Sequence, residues 1–327
     1  MTEINTHVSQ RRLQVIERSI MIVGTMAVLF LFSWISVANA DSSSEQLAAY
    51  YDRKMVLCTT TAYQWESDDK PSVVAENVAQ VGVGRDASYI LTKDGTLLSW
   101  EDNPGEKREI LSQVKRFVAG RSGVLAIRQN DSLWYLARPE SWFGEGDVTP
   151  PVKISENALS GSIGDSANYY VTNTGRLHAK GLAHRGQYGD GKLQSTDHFV
   201  QVADNVRSVK AHTGHAIYLA ETGDVFGTGG NIYGPIGSHG IGDKAIKWAP
   251  IFHKARAIAT GSSHSLAIRA DNTLWSWGRD IGLTPKQVLN SVRAVAADQS
   301  GSIALREDNT LWQWDRGKKP QQHFACP

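Results

Sequence analysis

Short apolar runs separated by turn-forming polar pairs dominate this chain, and residues 261–278 (GSSHSLAIRADNTLWSWG) show the pattern in its fullest form. A glycine opens the stretch, Ser265–Arg269 and Thr273–Trp277 read as two strands around Asp271-Asn272, and a second glycine closes it. Runs this short, bounded by turn formers, predict a β-hairpin. Asp and Asn both tolerate positive φ, so the pair predicts a two-residue type I′ turn. The hairpin recurs at Tyr89–Trp100, Leu125–Leu136, Tyr169–Lys180, Ile217–Thr228 and Ile303–Trp314, with Asp94-Gly95, Asn130-Asp131, Thr174-Gly175, Thr222-Gly223 and Asp308-Asn309 at the same offset.

A second apolar strand precedes each hairpin by about a dozen residues, as in Asn77–Gly84, Val114–Gly120, Asn205–His212, Ala255–Gly261 and Ser291–Asp298, with a degraded copy at Asn157–Gly164. Before that comes another short extended piece, often opened by proline, such as Pro71-Ser-Val-Val and Pro151-Val-Lys-Ile. Each unit therefore offers four short strands in roughly 35–50 residues, the length of one propeller blade.

The copies that begin LAIR or IALR and end LW-x-W resemble the repeats of the regulator of chromosome condensation (RCC1) superfamily. Gly261-Ser-Ser-His264-Ser265-Leu266-Ala267 and Asn272-Thr-Leu-Trp-Ser-Trp-Gly278 carry the resemblance best, and Arg185-Gly186-Gln187-Tyr188-Gly189 is similar to the family's G-Q-L-G loop. It spans about residues 55–315, although only His215 and His264 keep the motif histidine and His178 replaces one tryptophan. The resemblance implies an all-β, seven-bladed propeller. Six complete units are visible; Met55–Trp65 reads as a seventh hairpin lacking its leading strands, and Lys318–Pro327 as a leading strand lacking its hairpin. Joined, they make one blade from the N- and C-terminal strands and close the ring.

The N-terminus adds a location. Arg11, Arg12 and Arg18 precede the apolar run Ile20–Val37, which predicts a hydrophobic helix and ends at Ala38-Asn39-Ala40. This is the form of a secretory signal cleaved after Ala40, with an uncleaved inner-membrane anchor over residues 20–37 as the alternative. Residues 1–40 are accordingly signal or anchor, 41–54 a short leader, and 55–327 the propeller, exported to the periplasm or secreted. Membrane contact follows only if the segment stays uncleaved. Cys58 and Cys326 are the two cysteines present. An even count in an exported chain favours a disulfide, against two unrelated small apolar residues; the shared blade brings the pair together.

Charge and motifs narrow the chemistry. With 34 Lys+Arg against 33 Asp+Glu there is no electrostatic reason to expect nucleic acid. The repeated tryptophans sit at a fixed strand position, which favours packing between blades over a ligand cage. His215 and His264 lie where a turn meets a strand, suiting a structural hydrogen bond. His212-Thr-Gly-His215 has metal-ligand spacing, but on a turn, so no metal is expected. The runs at 186–191 and 227–230 lack the Lys-Ser/Thr of a phosphate cradle, so no cofactor is expected.

What varies is the segment after each hairpin, long after Leu136, Lys180 and Thr228. These segments hold Trp142, Phe143, His184, Arg185, Tyr188, Tyr233, His239 and Trp248, the aromatic and arginine composition of binding hot spots. The alternative for Trp142 and Trp248 is that they fold back to seal their own loops. The expected function is a non-catalytic protein-binding scaffold, an inhibitor or assembly factor, with an unidentified protein partner in the cell envelope or outside the cell. The resemblance includes an exported bacterial propeller that inhibits β-lactamases. The competing expectation is an exported enzyme acting on a carbohydrate polymer, against which stands the lack of paired carboxylates in the long loops.

Overall fold

The computed structural model describes residues 46–67, 69–137, 150–237, 242–299 and 301–327. The apolar run at 20–37 lies outside them. Among the described residues no helix is long and apolar enough to cross a membrane.

Seven four-stranded antiparallel sheets form the blades of a propeller. They span 47–75, 78–111, 114–155, 158–203, 206–252, 255–289 and 292–325, and every sheet keeps its strands in chain order. The first holds β1 (Leu47–Tyr50), β2 (Arg53–Cys58), β3 (Thr61–Glu66) and β4 (Ser72–Ala75). The first strand of each blade lies innermost, around a central cavity of about 150 Å³. Small side chains such as Ala48, Ala119, Ala211 and Ala296 line that cavity, because seven inner strands converge there.

The ring does not close through a shared blade, as the sequence pattern predicts. Both terminal blades are complete by themselves. β1 comes from the stretch read as leader, and the tail supplies the fourth strand of the last blade, Gln321–Ala325. LAAY is too short and too plain for its pattern to mark it as a strand. Its edge is satisfied by β2, with which it pairs from Leu47↔Val56 to Tyr50↔Arg53.

Closure is achieved at a seam between the first and last blades. Leu47, Val56 and Trp65 pack with Ala294, Ile303, Leu305 and Leu311 in one buried cluster. The Trp65 indole donates to Gln313 Oε1 at 3.0 Å and its ring stacks on His323 at 5.6 Å. Cys58 and Cys326 form a disulfide across the seam, 268 residues apart in sequence with Cα atoms at 5.5 Å. It therefore joins neighbouring blades and is not internal to one. Cys326 N donates to Asn309 O at 3.0 Å, reproducing the bond by which Val292 N reaches Asn272 O at 2.9 Å where one blade passes to the next. The disulfide thus stands where peptide continuity holds every other junction.

The hairpin turn also differs from its prediction. Asn272 is left-handed at φ 63°, as are its equivalents Gly95, Asp131, Gly175, Gly223 and Asn309, but the residue before each is not. Asn272 N donates to Arg269 O at 3.0 Å and Arg269 N to Thr273 O at 2.9 Å. This is a three-residue loop, a type I turn followed by one left-handed residue. Asp271 stays at negative φ as the last residue of the type I turn, so Asn272 takes the one left-handed position.

The rest of the motif follows from that turn. Asp271 Oδ1 accepts from Thr273 N at 3.0 Å and Thr273 Oγ1 at 2.6 Å, and Thr273 Oγ1 in turn accepts from the Trp275 indole at 2.9 Å. The Arg269 guanidinium lies 4.1 Å over the Trp275 ring. The Asp308–Thr310–Trp312 and Asn130–Ser132–Trp134 sets repeat this, with Arg306 and Arg128 over the indoles. The tryptophans consequently divide. Trp65, Trp100, Trp277 and Trp314 are buried between blades, whereas Trp134, Trp275 and Trp312 are partly exposed and capped by arginine.

On the loop-entropy account, a link closing nearly the whole ring stabilises it by about 5 kcal/mol. The C58S/C326S double variant is expected to lose up to that amount. Urea denaturation of the two forms, compared at equal protein concentration, measures the difference.

Candidate functional site: the long-loop face

In an antiparallel meander successive connections leave alternate ends of the sheet. The turns between first and second strands, and the variable loops between third and fourth, therefore open on one face of the ring.

Two of these loops share a backbone course. In 183–189, Gly186 N donates to Ala183 O and Gly189 N to Gly186 O; in 231–237, Gly234 N donates to Asn231 O and Gly237 N to Gly234 O. Each wedges against the following blade. Thr228 Oγ1 donates to Gly186 O at 2.7 Å, and Trp277 Nε1 and Ser265 Oγ both donate to Pro235 O at 2.8 Å. Tyr188 and Ile236 occupy equivalent positions and are both buried. Tyr188 is thus a wedge side chain, its hydroxyl donating to Gly181 O at 2.7 Å, and cannot meet a partner as its composition suggested. Trp248 folds back as well, edge-on to Tyr218 at 4.7 Å and against Gly189.

His184, Arg185 and Tyr233 do reach the surface. Arg185 lies along Gly214 and Gly230, and so continues to the turn that presents Ile232 and Tyr233, 66% and 49% exposed. That turn rests on Leu283 of the next blade, half exposed, and Arg279 sits 4.5 Å over the Tyr233 ring. Arg185, Ile232, Tyr233, Arg279 and Leu283 form one arc drawn from the fourth, fifth and sixth blades. Arg279 and Leu283 escaped the sequence reading because the segment after Trp277 is short; the only signal for Arg279 was its place directly after the closing glycine. Trp142, Phe143 and His239 lie outside the described residues.

The rim of the central cavity on this face carries polar groups that bond to one another. The Tyr50 hydroxyl donates across the axis to Asp165 Oδ1 at 3.4 Å, while its ring stacks on His212 at 6.4 Å. Thr213 Oγ1 donates to Asp165 Oδ2 at 3.2 Å, and Arg121 stands 4.0 Å from the same oxygen. Burial, reinforced by the Asp165 carboxylate, pushes the Tyr50 phenol well above its usual range. Lys54 and Asp298, both buried, pair at 3.9 Å nearby. These side chains are held in place by one another's contacts.

The motif histidines are buried between blades. His215 Nε2 meets Ser265 Oγ at 3.3 Å and His264 Nε2 meets Ser302 Oγ at 2.9 Å, each serine belonging to the following blade. Gly261 makes room for the second ring, since a Cβ there would stand 2.1 Å from His264 Cε1. A His–Ser pair can serve as base and nucleophile only where substrate reaches the hydroxyl. Ser265 and Ser302 are buried, so these pairs stitch blades together. Desolvation pushes both imidazoles down to about 3, assisted at His215 by His212 and His264, and at His264 by Arg316 and His212. Among the described residues no three His, Cys, Asp or Glu side chains gather as a metal site.

Comparison with known proteins places this architecture. The family model of the regulator of chromosome condensation (RCC1) repeat matches residues 255–280. The chain is 22% identical to the ultraviolet-B receptor UVR8 of Arabidopsis thaliana over 237 residues, 62% of this chain and 53% of the receptor. It is 28% identical to the secretion-regulating guanine nucleotide exchange factor of Bos taurus over 154 residues, 43% of this chain and 33% of that protein. The chain thus spans about half or less of these relatives. Yeast RCC1 (Prp20), solved bound to Kap60, superposes with a TM-score of 0.67 at 16% identity, covering 80% of this chain and 79% of that one. Human WBSCR16 gives 0.66 at 16% identity, covering 80% and 86%.

A pH dependence follows from the buried histidines. Their folded pKa lies below the unfolded value of about 6.5, so their contribution is complete above that pH and is lost as the pH falls toward 3. The melting temperature is expected to drop between pH 7 and pH 5, above the range where carboxylates titrate. An H215Q/H264Q variant, which retains a hydrogen-bonding side chain, is expected to show a shallower slope in thermal denaturation followed by circular dichroism.

Proposed function

We propose, from the premise that this chain belongs to the RCC1 repeat superfamily, that its propeller is a non-catalytic protein-binding module working outside the cytoplasm, with the long-loop face as its docking surface. The observation that carries this reading is the arc at Ile232, Tyr233 and Leu283: contiguous, solvent-exposed and flanked by Arg185 and Arg279. Aromatic and arginine side chains dominate binding energy at interfaces, and apolar surface gathered in one place needs a partner more than the same residues scattered singly.

Two further considerations support it. The residues that repeat most faithfully are consumed by the scaffold, which leaves the loops as the place where this propeller differs from a generic one. Relatives are named for dealings with proteins: an exchange factor in Bos taurus, a GTPase regulator in Homo sapiens, and yeast RCC1 solved with Kap60. Export is supported by the basic–apolar–small order of residues 11–40 and by the ring-closing disulfide, a bond that persists in oxidising compartments.

Placing a photo-crosslinking phenylalanine at Ile232 of the full chain is expected to yield a protein adduct in cells. The same group at Val73, exposed on the outer strand β4, is expected to yield none. Equal adducts from both positions, or none from Ile232, would overturn the docking face. Thiol trapping in intact cells tests the location: Cys58 and Cys326 are expected to be protected as a disulfide, and free thiols would place the chain in a reducing compartment.

A further inference from the structure

We infer that the arc at Ile232, Tyr233 and Leu283 receives an acidic protein segment, one presenting carboxylates beside an apolar side chain, with Arg185 and Arg279 taking the carboxylates. The inference rests on the docking-face reading and adds the chemistry of the partner.

The apolar part of the arc is set before any partner arrives. Asn231 is buried, and its Oδ1 accepts from Ile236 N at 3.2 Å while its amide donates to Gly237 O at 3.0 Å. Gly234 follows Tyr233 at φ 74° and presses so closely on Leu283 that a Cβ would stand 2.2 Å from Leu283 Cδ2. Ile236 goes inward as the wedge, and Ile232 and Tyr233 are held outward by the same turn. A surface fixed in this way loses little conformational freedom on binding.

The charged side chains in contact with it are cationic, while Asp243, whose carbonyl accepts from Asn231 N at 2.7 Å, adds an exposed carboxylate beside Lys244 at the base of the turn. Arg279 lies over Tyr233, and the nearest carboxylate to it, Asp280 Oδ2 at 3.7 Å, is already engaged by Arg316 Nε at 3.1 Å. Arg185 is exposed along Gly214 and Gly230, and among the described residues its guanidinium makes no ion pair. Lys286 adds a third cation at the Leu283 edge, its ammonium donating to Ile281 O at 2.6 Å. Among the described residues Asp280 is the one carboxylate paired with the arc's cations, and it is shared between Arg279 and Arg316. A guanidinium presents paired N–H donors that match a carboxylate in two-point contact. Two such forks flanking an apolar turn select a segment with acids on either side of an apolar residue, and like charge repels a basic one.

Two fluorescein-labelled peptides, EDLFDE and KKLFKK, titrated against the full chain by fluorescence anisotropy, test this. The acidic peptide is expected to bind about tenfold more tightly than the basic one, with a preference that shrinks as salt is raised. The R185E/R279E variant is expected to abolish or reverse the preference. The neutral variants R185Q and R279Q, which change the fold least, are each expected to weaken the acidic peptide several-fold. Equal affinity of the wild-type chain for both peptides, or an acidic-peptide affinity unchanged in every variant, would overturn the inference. If Ile232 still crosslinks to a protein while the peptides bind equally, the acidic partner is ruled out and the face survives; loss of the crosslink removes the face itself.

Discussion

The structure depends on closing a ring of seven sheets. Each blade buries its broad face only against a neighbour, so no blade is stable alone and the last must meet the first. At six junctions the chain runs on from one blade to the next; at the seventh it does not. There the contacts between Trp65 and Gln313, the packing of Leu47 and Val56 on Ile303 and Leu305, and the Cys58–Cys326 bond supply what covalent continuity supplies elsewhere. Completing both terminal blades, instead of sharing one, leaves no strand pairing across the seam among the described residues, and this gives the disulfide its importance.

That demand on packing accounts for most of what repeats. The glycine, histidine and serine of the GSSHS stretch form a stitch: Gly261 vacates space for His264, which reaches Ser302 of the next blade. The Asp-Asn-Thr-Leu-Trp stretch organises its own turn, the threonine hydroxyl linking carboxylate to indole. The glycine-rich loops wedge under adjacent blades through Tyr188 and Ile236. Residues that look chemically capable, including a His–Ser pair and a cross-axis Tyr–Asp contact, are consumed in holding blades in place. The likeness to RCC1 repeats is a likeness in this packing scheme. Among the side chains the scheme does not use are Ile232, Tyr233, Leu283, Arg185 and Arg279, contributed by the fourth to sixth blades.

The hairpins, their spacing, the blade count and the structural role of the motif histidines were legible in the sequence by itself. Turn formers, strand-length apolar runs and an invariant offset are local quantities, and repetition multiplies a weak local signal into a clear one. The pairing of the two cysteines was legible from their number and placement at opposite ends of the propeller. Other features were decided only by the tertiary structure. Whether the hairpin at 55–65 is completed by β1 or by the tail is a competition between distant segments, and nothing in LAAY expresses the outcome. Tyr188 and Tyr233 are tyrosines in sister loops, yet one is wedged inward and the other held outward, because they occupy different positions of the same turn relative to the next blade. Arg279 joins Tyr233 across the boundary between two blades, a contact that no local pattern expresses. Local chemistry fixed the elements; burial against neighbours, which depends on where seven sheets converge, fixed which side chains remain free to act.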